Sequence, residues 1–499
     1  MIGEKITGLH QEKTTLKLLG LNMRKTLLWL FFSTSVFVGR AQNAPLWTLE
    51  KCISAALENN LKVKRGYYGV ESADINLLQA KAAFLPTVNA AGSYGQNYGR
   101  AINPVTNSFI DRNSNTINLG GSGQLTLFSG FRTVNTYRQN QKSKVSADLD
   151  LEKAKNDVIT NVVTLYATVL FNKELLDNAN YLLTGSQSQL ERTTKLVDAG
   201  SMSKGNQLTQ EATVASNELT VINQENAYKL SVLQLKQAMQ LPADSVVEIE
   251  VPNITIEDLT LTQSVKEIYE TAKQLMPDVK SAEVKVEAAR LSAMAYRGAL
   301  FPRLVLSGNM QTNYSSVSNT PRTAPTGNFS LSDRPSGEDA NGVKFYAYQP
   351  EYKTVAGSYT QQEQLKDNLY KSLNLQLNIP LFNGLQNRGN LQQAAVNQRL
   401  AEISKMETEN ALRQTIETAY NDAAAASKSY GAAQKQVTAR EEAYRMDNQR
   451  YELGGLSALE LQVSQSNLFQ AKTDLTRAKY NFILRKKILD FYQGREVKF

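Results

Sequence analysis

The sequence predicts a mainly α chain that also carries β-strands, built as one unit made twice: a strand hairpin followed by a pair of very long helices. Three observations predict it. Phrases recur at fixed offsets, several stretches alternate apolar and polar residues, and two long runs lack proline. "LFSGFRTVN" at 127–135 returns as "LFNGLQNRG" at 381–389, an offset of 254. "DAGSMSKGNQLTQ" at 198–210 returns as "ELGGLSALELQVS" at 452–464 with the same offset, which aligns Gly200 with Gly454 and Ser203 with Ser457. Earlier the offset is 216: "AFLPTVNAAGSYGQNY" at 83–98 resembles "ALFPRLVLSGNMQTNY" at 299–314. The 38 residues of difference fall between Tyr314 and Phe382, in a stretch rich in Ser, Asn, Pro and Gly. It reads as a long exposed loop over about 315–366. The units are then 42–244 and 263–499, joined by a linker at 245–262. They are too long for a short-period solenoid.

The strands come first in each unit. Ile117, Leu119, Gly121, Gly123, Leu125 and Leu127 alternate with Asn118, Gly120, Ser122, Gln124 and Thr126. Leu373, Leu375, Leu377, Ile379 and Leu381 alternate with Ser372, Asn374, Gln376 and Asn378. Val88 to Tyr94 and Leu304 to Met310 behave alike. Period two gives each strand one apolar and one polar face. The polar face is amide and hydroxyl, without charge. Both a soluble sandwich and a transmembrane barrel with lipid outside and water inside match this pattern. Leu381 and Phe382 are expected to be the last strand residues before the second long helix.

After each "LF-x-G" the period changes. From Phe131 to Ala199 and from Leu385 to Leu453 there is no proline and little glycine. Apolar residues recur at helical spacing, as in Val158, Val162, Tyr166 and Val169, or Leu175, Ala179 and Leu182. A continuous helix of that length reaches roughly 100 Å. Further helices are expected at 203–240 and 457–492, beyond a glycine turn in each unit. Periodic helices this long pack as coiled coils. Phe128, Gly130, Phe382 and Gly384 mark the strand-to-helix junctions, with the glycines letting sheet bend into helix. Four strands cannot close a barrel, and open strand edges are not tolerated in lipid. Two chains would supply eight strands and three would supply twelve; composition does not choose.

The N-terminus reads as a leader. "MRKTLLWLFFSTSVFVGRAQ" at 23–42 opens with two basic residues, Arg24 and Lys25, before a short apolar run and small residues near Ala41. That is a secretory signal with cleavage expected after Ala41, and Met23 is the expected start. The net charge is +8, and residues 1–41, with six bases against two acids, hold four of those charges. No dense basic stripe remains to bind nucleic acid. Mean hydropathy is −0.37, too polar for a bundle of membrane-spanning helices. The only histidine, His10, lies in the leader. The remaining chain therefore has no histidine for acid–base chemistry, a Cys–His nucleophile or a typical zinc site. The single cysteine, Cys52, cannot form an internal disulfide and reads as a buried small hydrophobe. "GGSG" at 120–123 lacks nucleophile-elbow spacing, and no P-loop or dinucleotide fingerprint precedes a helix. The expectation is no enzyme and no cofactor.

In their order, these features resemble the TolC family of outer-membrane efflux channels: a signal peptide, the early helix "TLEKCISAALENN", "LP" and "FP" leading into strands, "LF-x-G" leaving them, and a Gly-x-x-Ser turn in each half. The likeness spans 48–492. It implies a homotrimeric twelve-stranded barrel in the cell outer membrane, continued by an α-helical tunnel through the periplasm. The linker at 245–262 would be a mid-tunnel belt. The resemblance also implies a passive exit duct of a tripartite efflux or type I secretion system. Its partners would be a periplasmic adaptor (membrane fusion) protein and, through it, an RND or ABC inner-membrane transporter.

Site residues follow from the same resemblance. Gly200, Ser201, Met202 and Ser203, with Gly454, Gly455, Leu456 and Ser457, match the periplasmic tips that meet the adaptor. Tyr451 matches a latching tyrosine, and Glu460 an acidic ring at the entrance. Asn206, Leu456 and Val463 stand where the best-known member carries an aspartate, a gating arginine and a second acid, so the charged latch is reduced. The alternative reading is a secreted coiled-coil scaffold or adhesin. The uncharged alternating strands, duplicated beside helices, argue against it.

Overall fold

The computed structural model describes residues 46–102, 109–111, 113–242, 244–252, 259, 263–317, 322–355 and 359–495. The signal segment, Met23 and most of the second half of the linker lie outside them. Residues 46–48 and 242–252 form a small unit of their own. In it Trp47 bridges Ile249 in parallel: its amide donates to Glu248 O at 2.8 Å, and its carbonyl accepts from the Glu250 amide at 3.1 Å.

The rest begins with helices α1 (Leu49–Asn59) and α2 (Leu61–Ala82). Asn60 separates them and caps α2, its Oδ1 accepting from the Lys62 amide at 2.9 Å. Strand β1 (Thr87–Asn97), a short ribbon β2 (Arg100–Ile102) with β3 (Phe109–Asp111), and β4 (Ser114–Ser129) follow. Then come α3 (Arg132–Asp198) and α4 (Lys204–Ala238), 67 and 35 residues long. The series restarts with α5 (Val265–Leu275), α6 (Pro277–Gly298) and β5 (Arg303–Ser315). After an outer segment, β10 (Tyr370–Asn378) leads to α8 (Gln386–Glu452) and α9 (Ala458–Tyr492), again 67 and 35 residues long. No helix among the described residues is long and apolar enough to cross a membrane.

The outer segment corrects one expectation. Much of 315–366 is ordered β-structure: β6 (Arg322–Leu331) pairs with β9 (Tyr348–Val355), and β7 (Gly337–Glu338) with β8 (Lys344–Phe345). Loop-type composition hid short period-two runs such as "YQPEYKTV". A seven-residue helix, α7 (Gln361–Asp367), then closes onto β5. There Ser315 N donates to Gln364 Oε1 at 3.0 Å and Asn368 Nδ2 donates to Asn313 O at 2.8 Å. Strand β10 starts opposite Gln311, so these side-chain amides satisfy the β5 edge that β10 leaves uncovered.

The main sheet runs β1-β4-β5-β10, antiparallel throughout, with β1 and β10 at its edges. The two halves meet at β4–β5. Around the helices, α5 sets Ile268 and Ala272 against Leu412, Ile416, Ala419 and Ala423 of α8 and Leu489 of α9. Alanines on α8 let the short helix approach closely. Each fully buried Ile or Leu there contributes about 1.5–3 kcal/mol. Along α3, Val158, Val162, Tyr166, Val169, Leu175 and Ala179 are buried and Leu182 is half-buried.

Candidate functional site

The sheet is the first functional surface. Directly opposed residues in an antiparallel sheet share a face. One row crosses Val88, Gly123, Gly308 and Leu373; another crosses Leu125, Leu306 and Leu375. The opposite face carries rows such as Asn89, Ser122, Asn309 and Ser372. There Asn118 Nδ2 donates to Ser93 Oγ at 3.3 Å, and Arg303 Nη2 to Thr126 Oγ1 at 3.2 Å. The apolar face is uncovered: Val88 is 77% exposed and Leu373 75%. Aliphatic side chains so placed suit hydrocarbon rather than water.

Register changes near the helices. A bulge between Thr126 and Phe128 pairs Phe128 with Leu304, which turns Phe128 onto the apolar face and makes Leu127 the extra residue. In the other half the expected strand end at Leu381 and Phe382 is not found. Strand β10 stops at Asn378, opposite Arg303, the first residue of β5. Pro380 then lacks an N–H for a ladder. Leu381 is 92% exposed and Phe382 81%.

Both junctions turn through two consecutive left-handed residues. Gly130 has φ +63° and Phe131 +65°; Gly384 has +62° and Leu385 +66°. Glycine accepts this freely, whereas Phe131 and Leu385 pay for it in backbone strain. Sequence reasoning found the glycines and missed their neighbours, because Phe and Leu carry no left-handed signature. Ser129 and Asn383 stand at equivalent positions before the turns. Ser129 Oγ accepts from the Thr133 amide at 3.3 Å, and Asn383 O from the Gln386 amide at 3.3 Å.

The helix turns are the second surface. Gly200 (φ +73°) and Gly454 (φ +78°) each close a Schellman motif. Ser201 N donates to Leu196 O and Gly455 N to Arg450 O, both at 2.8 Å. The next helix starts differently in the two turns. Ser457 and Glu460 form a full capping box: Glu460 N donates to Ser457 Oγ at 3.3 Å and Ser457 N to Glu460 Oε2 at 2.9 Å. Ser203 caps α4 without a side-chain bond: the Asn206 amide donates to the Ser203 carbonyl at 3.1 Å, and Asn206 stands where the other turn has the reciprocal Glu460. Met202 and Leu456 are half-buried. The Ser457 hydroxyl, then its amide, holds the exposed Glu460 carboxyl below the usual carboxylate range.

Tyr451 is only 7% exposed, and its hydroxyl has no hydrogen-bond partner among the described residues. The cross-link that does join the two helical hairpins near these turns is an ion pair. Arg192 Nη1 of α3 lies 3.3 Å from Glu452 Oε1 of α8. Neither residue carried a signal in the sequence.

That ion pair ends a seam between α3 and α9/α8. Along it, Phe171 meets Tyr480 edge-on at 6.2 Å, and Glu174 accepts from Lys479 at 2.9 Å and from Thr476 at 3.1 Å. Asn178 donates to Thr476 at 3.3 Å, and the Lys472 ammonium sits 5.6 Å from the Tyr181 ring. A groove of about 370 Å³, flanked by Tyr181, Gly185, Tyr444, Gln465 and Lys472, interrupts the seam. The contacts recur near every three or four residues of α3 (171, 174, 178, 181, 185), as in a coiled coil, but most of them are polar.

Comparison with known proteins matches this architecture. The outer membrane efflux protein family model matches residues 52–239 and 268–494. Outer membrane efflux protein BepC of Brucella suis is 21% identical over 468 residues, covering 93% of this chain and 89% of that protein. The crystal structure of the Campylobacter jejuni CmeC outer membrane channel superposes with a TM-score of 0.68 at 16% identity, covering 90% of this chain and 86% of that one. VceC, an outer membrane protein of Vibrio cholerae, gives a TM-score of 0.66 at 16% identity, covering 90% and 96%. With the two-faced sheet, the paired long helices and a family model matched across both halves, the chain belongs to the outer membrane efflux protein family and is a protein of the cell outer membrane.

Proposed function

We propose that the chain is the exit duct of a tripartite efflux or type I secretion assembly. Three copies close their four-stranded sheets into a twelve-stranded barrel, and the paired helices line a periplasmic tunnel. The observation that carries this reading is the sheet itself. It presents aliphatic side chains on one uncovered face, amides and hydroxyls on the other, and unpaired edges at β1 and β10. Open edges cannot stay in hydrocarbon, so copies must pair them. The amide-and-hydroxyl lining suits low selectivity, and passage is passive.

The turns at 199–203 and 453–457 are the proposed contacts with the periplasmic adaptor, which links the duct to an inner-membrane pump. Ser201, Met202 and Leu456 are better test positions than Gly200 or Gly454, whose replacement strains the backbone. Tryptophan at those three should weaken capture of the adaptor while the oligomer stays intact. The decisive experiment separates outer membranes and compares heated with unheated electrophoresis. A heat-modifiable trimer that conducts ions in planar bilayers is expected; material found solely in the soluble fraction would end this reading.

A further inference from the structure

The duplication supplies a map from contacts inside the chain to contacts between copies. Helix α3 maps onto α8 and α4 onto α9 with an offset of 254 at both ends of each helix. Helix α2 maps onto α6 with an offset of 216, again at both ends. Within the chain, α3 contacts α9 along the polar seam. Its equivalent is α8 of one copy against α4 of the next.

The internal seam is polarised. Glu174 stands on α3, and Lys472 and Lys479 stand seven residues apart on α9. At the equivalent positions the signs are exchanged. Lys428 replaces Glu174 and Lys435 replaces Tyr181 on α8, whereas Glu225 replaces Lys479 and Glu218 replaces Lys472 on α4. Lys428, Lys435 and Glu218 are exposed, and the ion pair of Glu225 among the described residues is with Lys229, one turn away on its own helix. Alanines at 425, 432 and 439 alternate with the two lysines along α8 and permit close approach. The same two flanks carry uncovered apolar stripes nearer the sheet, Val396, Leu400 and Ile403 on α8 and Leu61, Tyr68 and Ile75 on α2.

We propose that α8 of one copy packs on α4 of the next with Lys428 opposite Glu225 and Lys435 opposite Glu218, and that this charge arrangement enforces head-to-tail assembly. It rests on the multi-copy channel reading above and adds its register and its direction. A two-fold pairing of copies would set α8 on α8, lysine against lysine, or α4 on α4, glutamate against glutamate. Head-to-tail pairing alone matches opposite signs, and head-to-tail contacts are the kind that close into rings. Exposed ion pairs are individually weak, so their contribution is to choose the partner face while the apolar stripes supply affinity.

Two arms test it on the full-length protein in membranes. In the first, Lys428→Glu with Lys435→Glu should cut the assembled fraction at least tenfold, and so should Glu218→Lys with Glu225→Lys. All four changes together should restore it. In the second, Lys428→Cys and Glu225→Cys in one chain should be joined between copies by a short thiol cross-linker. Lys428→Cys alone should give no linked pair. Cys52 is buried, and burial pushes its thiol up to about 12, which keeps it silent. Assembly unaffected by reversal, or copies linked through Lys428→Cys alone, overturns the proposal. If the reversed chains lose helix content instead of assembly, the cross-linking arm decides. A wild-type chain that stays monomeric removes the channel reading itself, and this seam with it.

Discussion

The two strand-to-helix junctions share a backbone and differ in surroundings. Gly130 and Gly384 have φ within a degree of each other, and each is followed by a left-handed apolar residue. Yet a Cβ on Gly130 would fall 2.2 Å from Gly298 O and 2.6 Å from Phe301 Cβ, while one on Gly384 would meet nothing within 4 Å. Gly298 is equally tight, its Cβ position lying 2.5 Å from Gly130 O. The turn is thus a local requirement written twice. Close packing against it exists only where the other half of the same chain arrives. On the assembly proposed above, the neighbour equivalent to Gly298 at the second junction is residue 82 of the next copy.

The sharpest way to break that comparison is Gly130→Ala. It adds backbone strain to a clash with a carbonyl that cannot swing away, on the order of 3 kcal/mol. Folded chain should be lost, as measured by the yield of helical material. Gly384→Ala carries only the left-handed cost in the isolated chain, about 1 kcal/mol. Its larger effect should appear in the heat stability of the assembled protein; equal loss of folded chain from both substitutions would refute the distinction.

The two helix turns make a finer contrast. Ser457→Ala removes a capping box and should cost about 1 kcal/mol. Ser203→Ala removes no side-chain cap bond and should change thermal unfolding little. The smallest effect concerns pH. Because hydrogen bonds from Ser457 depress the Glu460 carboxyl in the folded chain, its contribution is present at neutral pH. It is lost as pH falls below about 4 and through the folded value. Glu460→Gln keeps an N3 partner for the cap and should remove that part of the acid sensitivity. The same variant tests the entrance-ring role that the family resemblance implies for Glu460 without unravelling the helix: unchanged bilayer conductance and cation block would remove that role.

Much of the architecture was legible from short-range pattern. Period two marked the strands, proline-free helical spacing marked α3 and α8, and Gly-x-x-Ser marked the turns. Legibility failed where a long-range partner or an uncommon conformation intervened. Phe131 and Leu385 are ordinary apolar letters held left-handed by the junction. The bulge at Thr126/Phe128 depends on β5 arriving alongside. Arg192 and Glu452 lie on separate hairpins and meet only in three dimensions. The hairpin of β6 and β9 was masked by loop-like composition, and the termination of β10 at Asn378 depends on where β5 begins.

By itself the sequence determined the elements and their duplication, because periodicity, capping and glycine conformations act over a few residues. Only the tertiary structure decided which strands pair, which edges stay open and which charges face one another across the hairpins. Those contacts join residues hundreds of positions apart, and their selection depends on packing and backbone hydrogen-bond satisfaction that no local window contains.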